Sequence, residues 1–539
     1  MGFSRKTISM VMLVFVSMAG WMFGADTGTI GGLTNMRDFQ RRFADKYDSS
    51  TDTYSYSPTR QGLLVGMVNV GTLIGSLLCS PLADRVGKKV SIMIWTVVYL
   101  SGIVIQLTSK MAWFQFMIAK IWTGFSIGAL SVLTPGYQSE TSPASIRGLI
   151  VTSFQLFITL GIFVANIIVF GCRNISGAAS WRVPLAINLV YGVILFIGMM
   201  YLPESPRYLM QINKPEECRR VLADTEGVDP SDPALDAEFN AIRDSIQQEF
   251  AGGPVTWGEI FGPLMRYRTF LGMAVMSFQQ LAGANYFFYY GTDVFKGVGI
   301  SNSFIASLIL GAVNFGSTFP GLYVVENLGR RWPLIIGAVW MFVCFMVFSS
   351  VGFKSLYPHG PDAPSDKTAG NVMIIFSCLY IFAFACTWAP AAWVIVGESY
   401  PVRVRSKCAS VATACNWSWN FLISFFTPFI VKKIGFKYGY VFACCCLCGA
   451  LVIFFFACET KGLSLEEVNE MYVSGVKPWA SNGYAKTVIR DRNHSDLEKS
   501  ITHPQLSTVD SEENKKVTPS AEYVEDGSVQ RSFNNGFEN

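Results

Sequence analysis

Apolar residues in this chain gather into long runs separated by short polar breaks. Twelve runs are each close to the roughly 20 residues that a helix needs to cross a bilayer. They cover residues 8–32, 61–83, 90–108, 112–136, 149–171, 183–202, 269–292, 302–325, 333–353, 371–396, 408–431 and 437–457. The first is too long for a cleaved signal, carries Asp26 and is followed by further spans. A polar stretch at 203–267 separates spans six and seven. Its patterns Glu216–Leu222 and Leu235–Phe250 predict small surface helices. Residues 459–539 are rich in Ser, Asn, Lys and Glu and read as a disordered tail. The expected fold is an all-α membrane protein. It has six-helix bundles at 1–202 and 268–458, a helical loop at 203–267 and the tail.

Composition supports that reading and removes others. Of 539 residues, 51% are hydrophobic and 15% charged, against about 25% charged in soluble domains. A net charge of +4 gives no reason to expect a nucleic-acid partner. Eleven of the 13 cysteines lie in or beside apolar runs, the exceptions being Cys172 and Cys218. A disulfide framework would place them in polar outer loops. Cys445 and Cys448 have a CxxC spacing inside an apolar run, where packing accounts for them. The three histidines, His359, His494 and His503, fall outside the spans. No nucleophile–base pair or metal-ligand cluster stands out, so neither an enzyme nor a cofactor is expected.

The loops repeat about every 250 residues. Glu140-x-x-Pro143-x-x-x-Arg147 follows span four, and Glu398-x-x-Pro401-x-x-x-Arg405 follows span ten. Asp84-Arg85-Val86-Gly87-Lys88-Lys89 follows span two, and Glu326-Asn327-Leu328-Gly329-Arg330-Arg331 follows span eight. Pro203-Glu204-Ser205 and Cys458-Glu459-Thr460 follow spans six and twelve. Three motifs recurring in one order, on one side of the membrane, indicate two similar halves with a seam between them. That is the architecture of an alternating-access transporter, with its site near the midplane. Asp84, Arg85, Glu140, Arg147, Glu326, Arg330, Arg331, Glu398 and Arg405 then become candidate gating residues, in pairs that bridge helix ends and break when the halves rock. The plainer reading is anchoring of helix ends.

Loop charges alone do not orient the chain. Arg5 and Lys6 lean towards cytoplasmic termini, and the acceptor sequon Asn174-Ile175-Ser176 would then face outside. Asn416-Trp417-Ser418 matches that pattern inside a span, where it cannot be glycosylated.

Two charges fall well inside spans, Asp26 in span one and Lys120 in span four. Such charges are costly and usually functional. They read either as a static ion pair or as a proton-coupling device in which Asp26 takes a proton and releases Lys120. Gly24, Gly28, Gly31 and Gly32 around the acid allow close helix contact. Uncharged polar residues are spread over both halves: Gln155, then Gln279, Gln280 and Asn285, then Asn314, then Asn416 and Asn420 with Trp417 and Trp419. Trp388 and Trp393 flank Pro390. Amides both donate and accept, so among aromatic faces they suit a neutral polyhydroxylated ligand. Hydrogen bonding between helices is the alternative.

These motifs resemble the sugar porters of the major facilitator superfamily, and within them the yeast hexose transporters, especially the fission-yeast group. The matching pieces are FGADTGTIGG (23–32), PLADRVGKK (81–89), PGYQSETSPASIRG (135–148), PESPRYL (203–209), QQLAGANYFFYYG (279–291), ENLGRR (326–331), APAAWVIVGESYPVRVRSK (389–407) and ETKGLSLEE (459–467). The resemblance implies twelve helices in two pseudo-symmetric bundles. It implies sugar contacts from Gln155, Gln279, Gln280, Asn285, Asn314, Trp393 and Asn416, and places Asp26 where proton-coupled members hold their acid. Four positions depart from the pattern. Lys120 stands where such members usually carry Arg, Ser80 replaces a Gly, Cys458 replaces a Pro, and Ala284 is small beside Asn285. The expectation is a plasma-membrane importer of D-glucose and related hexoses, coupled to protons, with both termini cytoplasmic and partners limited to sugar, protons and lipid. A uniporter, a sugar-acid (gluconate) carrier and a non-transporting sensor are the alternatives.

Overall fold

The computed structural model describes residues 14–50, 52–110, 112–142, 147–251, 256–297, 303–356, 366–463 and 465–490. A chain surrounded by hydrocarbon must satisfy every backbone polar group internally, and helices do so. Each predicted span is helical. Spans one to six are Met18–Leu33, Pro58–Val86, Lys88–Thr108, Trp113–Thr141, Arg147–Cys172 and Ala179–Tyr201. Spans eight, nine, eleven and twelve are Ser303–Leu328, Arg331–Lys354, Val402–Ile434 and Tyr438–Phe456.

Spans seven and ten are broken. Span seven is Arg266–Leu281 followed by Ala284–Gly297, and span ten is Lys367–Cys386 followed by Trp388–Glu398. At the break in span seven Gly283 has φ +93°, and a Cβ there would lie 2.7 Å from the Phe442 ring. Only glycine suits both conditions.

Within the N-terminal half, helices meet backbone to backbone. A Cβ on Gly128 of span four would strike the Thr72 carbonyl of span two, and one on Gly24 of span one would strike the Ile158 carbonyl of span five. The halves join from mid-membrane to the end bearing the loop between spans one and two. Asn69 donates to the Ser424 hydroxyl at 2.8 Å, Thr318 to Thr159 at 3.0 Å, and Asn166 to the Ser307 carbonyl at 3.2 Å. Phe163 stacks on Phe315 at 6.1 Å.

Three segments differ from or refine the sequence expectation. The loop after span one holds a helix, Arg37–Phe43, and a hairpin pairing Lys46–Asp48 with Thr53–Ser55. Phe39 and Phe43 of that helix pack on Phe116 and Trp181. The segment at 203–267 forms Pro206–Gln211, Pro215–Glu226 and Asp236–Ala251 around a small core of Leu209, Cys218, Leu222 and Leu235, and then Trp257–Ile260, whose Ile260 packs instead with Met265, Met276 and Tyr400. Burial pushes the Cys218 thiol up to about 11, which suits packing rather than reactivity. The tail expected from Glu459 instead forms helix at Leu465–Val473 and again at 481–490. Helix Leu465–Val473 docks through Val468 and Met471 beside Cys458, and Arg268 donates to Asn469 at 2.9 Å. The rest of the tail from 491, with His494, His503 and also His359, lies outside the described residues. All thirteen cysteines are free thiols.

Candidate functional site

Four of the amides form one directed chain at the break in span seven. Asn285 donates to Gln280 at 2.6 Å, and Gln280 donates to Asn416 at 2.9 Å. Asn416 donates to Gln279 at 2.7 Å and to the Met276 carbonyl at 3.1 Å. Gln279 in turn donates to the carbonyls of Trp388 and Ala389, each at 3.1 Å. The chain links spans seven, ten and eleven. Gln279 and Asn416 are buried, whereas Gln280 and Asn285 are half-buried and form the more open end of the network. Polarised in one direction, such a chain strengthens its own members.

The other predicted contacts lie around this chain but outside it. Asn314 is buried on span eight, one turn from Thr318, which donates to Thr159. Gln155 is half-buried on span five, one turn from that Thr159. Both therefore lie on the stripes that meet at the seam of spans five and eight. Trp393 is half-buried against Met276, Val396, Tyr400 and Ala412. Two neighbours on span eleven belong to the polar set read from the sequence but not to the implied sugar contacts. The Trp417 indole N–H and the Asn420 carbonyl are buried without a partner among the described residues, and Trp417 meets Phe23 of span one at 5.4 Å between centroids. Their signal was spacing: they stand one and four residues beyond Asn416.

The buried charges find each other. Lys120 Nζ lies 2.7 Å from Asp26 Oδ1, with side chains 0% and 3% exposed. Tyr289 of span seven lies within electrostatic reach of Asp26, among Thr27, Asn69 and Asn420.

A family model described as "Sugar (and other) transporter" matches residues 12–472. The chain belongs to that sugar transporter family. A high-affinity fructose transporter of Schizosaccharomyces pombe is 60% identical over 496 residues, 92% of each chain. A high-affinity glucose transporter of the same organism is 59% identical over 485 residues, 90% of this chain and 91% of the relative. Among solved structures, the major facilitator superfamily proton:xylose symporter XylE, bound to 6-bromo-6-deoxy-D-glucose, matches with a TM-score of 0.72. It is 24% identical and covers 87% of this chain and 100% of its own. The fold is the major facilitator fold, with twelve spans in two six-helix bundles, and the family is not one of enzymes.

In this sugar transporter the repeated loops build the same cluster twice. In the first half Lys88 pairs with Glu140 at 2.6 Å, and Ser205 donates to Glu140 at 2.6 Å. Glu204 accepts the Lys89 backbone N–H at 3.0 Å beside Gly87, whose φ is +91°. In the second half Arg330 pairs with Glu398 through two nitrogens at 2.9 and 3.2 Å, and Thr460 donates to Glu398 at 2.5 Å. Glu459 accepts the backbone N–H groups of Arg330 at 3.0 Å and Arg331 at 3.1 Å beside Gly329, whose φ is +88°. These pairs join helices inside one half, so rocking of rigid halves does not by itself require them to break. Lys88, Glu204, Ser205, Glu459 and Thr460 belong to the clusters although the sequence singled them out only as repeats.

The remaining gating candidates lie outside the Lys88–Glu140 and Arg330–Glu398 ion pairs. Asp84, Arg85 and Glu326 are exposed, and the Arg85 carbonyl accepts the Tyr208 hydroxyl at 3.0 Å. Arg331 is buried and donates to the Phe454 carbonyl at 2.8 Å. Arg405 lies within electrostatic reach of Glu398 in its own half and of Glu140 in the other. The side chain of Arg147 lies outside the described residues.

Proposed function

We propose that this sugar transporter imports D-glucose and related hexoses across the plasma membrane by alternating access, coupled to protons. The observation that carries the reading is the directed amide chain at the break in span seven. It is uncharged, it presents Gln280 and Asn285 at its open end, and sugar hydroxyls both give and take hydrogen bonds. Gln155, Gln279, Asn314, Trp393 and Asn416 complete the sugar site in this reading, with Trp393 offering an aromatic face. Relatives that carry fructose and glucose support the substrate class.

Coupling rests on the enclosed Asp26–Lys120 pair. A protonated Asp26 no longer holds Lys120 by charge, so the packing of spans one and four depends on the proton. Tyr289 ties that pair to the span that binds the sugar. Gating falls to the charged loop ends, with Arg405 acting across the seam on Glu140. Both termini are cytoplasmic, and Asn174, exposed in the loop after span five, is glycosylated on the outer side. A uniporter is the second reading. What favours it is the completeness of the ion pair, whose side chains are almost wholly shielded.

Labelled-glucose uptake in yeast cells lacking their own hexose transporters tests this, at two external pH values, with and without an uncoupler. Uptake should fall when the uncoupler is added and when external pH rises. Uptake indifferent to both identifies a uniporter, and no uptake by protein present at the surface overturns the sugar reading.

A further inference from the structure

Buried polar atoms without a partner among the described residues gather in the N-terminal half. On span three they are the Ser91 hydroxyl, the Trp95 indole N–H, the Tyr99 hydroxyl and the Gln106 carbonyl. Steps of four, four and seven put them on one helical stripe. The stripe faces span four, where Thr123 accepts the Gln106 amide at 3.3 Å and Ser126 donates to the Trp95 carbonyl. The Asn188 amide of span six also lacks a partner among the described residues. Trp21 packs on Tyr191 at 5.3 Å between centroids. Tyr99 and Asn188 are 0% and 2% exposed. Asp26 and Tyr191 are the ionisable groups that act electrostatically on Tyr99.

Buried polar groups are normally satisfied, and ordered water serves where the protein offers no partner. A single such atom is unremarkable. A stripe of them that passes an enclosed carboxylate is a path. We propose that the interior of the N-terminal half, between spans one, three, four and six, is a hydrated proton conduit that reaches Asp26 through Tyr99, separate from the sugar network on spans seven, ten and eleven. This rests on the proton-coupled reading. The step is a simple transfer. Protonated Asp26 gives its proton to a water held by the Tyr99 hydroxyl, and the carboxylate left behind pairs with Lys120 Nζ. Loading reverses it. Tyr99 is thus a positioning residue for the water. The ionisable groups facing Asp26 are Lys120 from span four, Tyr99 from span three and Tyr289 from span seven, with Tyr191 of span six behind Tyr99. Span five packs on span one through Phe154, Ile158 and Ile162 and brings none.

The test uses the full chain in proteoliposomes and reads two quantities. One is sugar-evoked proton uptake. The other is exchange of labelled for unlabelled glucose, which involves no net proton movement. Tyr99→Phe should slow proton uptake by about tenfold or more and leave exchange unchanged. Asp26→Asn should abolish proton uptake. Proton uptake at the wild-type rate in Tyr99→Phe would overturn the conduit and leave the role of Asp26 standing. Absence of sugar-evoked proton uptake in the wild-type protein overturns both. If Tyr99→Phe fails to fold, Asn188→Leu removes another polar group from the same chamber and should slow proton uptake while sparing exchange; unchanged proton uptake there sinks the idea equally.

Discussion

At one end of the two halves the same kinds of atoms meet. Lys88 rests on Glu140 with Ser205 in the first, and Arg330 rests on Glu398 with Thr460 in the second. Away from those ends the likeness stops. The first half encloses an ion pair and a stripe of unpartnered polar atoms. The second encloses a chain of neutral amides and an aromatic cluster of Phe287, Phe345, Tyr380 and Phe442. Loop clusters fix how helices leave the membrane, and that demand is identical in both halves. Interiors are free to diverge, because a packed core needs only volume and satisfied polar groups. The enclosed ion pair and the amide chain therefore sit in different halves of one molecule.

The sharpest way to break this contrast is to remove the charge from the first half. Asp26→Asn leaves Lys120 enclosed without a counter-charge, a loss of about 3–5 kcal/mol. The purified protein should unfold at a lower temperature, and cells should no longer accumulate sugar against a gradient. Adding Lys120→Met should restore the unfolding temperature but not accumulation. A double variant as unstable as the single one would mean that the two charges do not hold each other.

The second half should respond in affinity rather than in coupling. Asn285→Ala cuts the outer end of the amide chain and removes hydrogen bonds worth about 1–3 kcal/mol, or roughly 5- to 150-fold in affinity. KM for glucose should rise by that factor with surface expression unchanged, whereas an unchanged KM would remove Asn285 from the site. The smallest effect is expected at the loops. Glu140→Gln and Glu398→Gln each weaken a partly exposed pair worth about 1 kcal/mol. The second should slow uptake more, because Arg330 grips Glu398 through two nitrogens while Lys88 offers one. Equal rates in the two variants would mean that the clusters are interchangeable.

Much of this was legible in the sequence because membrane spans and duplicated loops leave strong marks. Apolar length located the helices to within a few residues. Repetition paired Glu140 with Glu398 before any distance was known, and the rarity of charge in hydrocarbon singled out Asp26 and Lys120. Other features were hidden for physical reasons. The break in span seven falls at Ala282 and Gly283, inside a run apolar enough to read as one helix, and a glycine there is equally compatible with close packing. The break in span ten falls at Thr387, which carries no sign of it. Amide positions were visible, but which amide donates to which depends on three helices meeting. The folded stretch after Glu459 was missed because Leu463, Val468, Met471 and Tyr472 are diluted among polar residues. A short docked helix gains its stability from the surface it meets, not from its own composition.

The neutrality of the amide chain has a consequence for energy supply. A sugar carries no charge, so the membrane voltage cannot act on the cargo itself. In the proposed proton-coupled cycle, each turnover would move one positive charge inward. Every 100 mV then contributes about 2.3 kcal/mol, enough for about a fiftyfold concentration ratio at equilibrium. Each unit of pH difference adds about tenfold. A cell could then scavenge traces of hexose by drawing on its electrical gradient, and it would lose that ability whenever the plasma membrane depolarised.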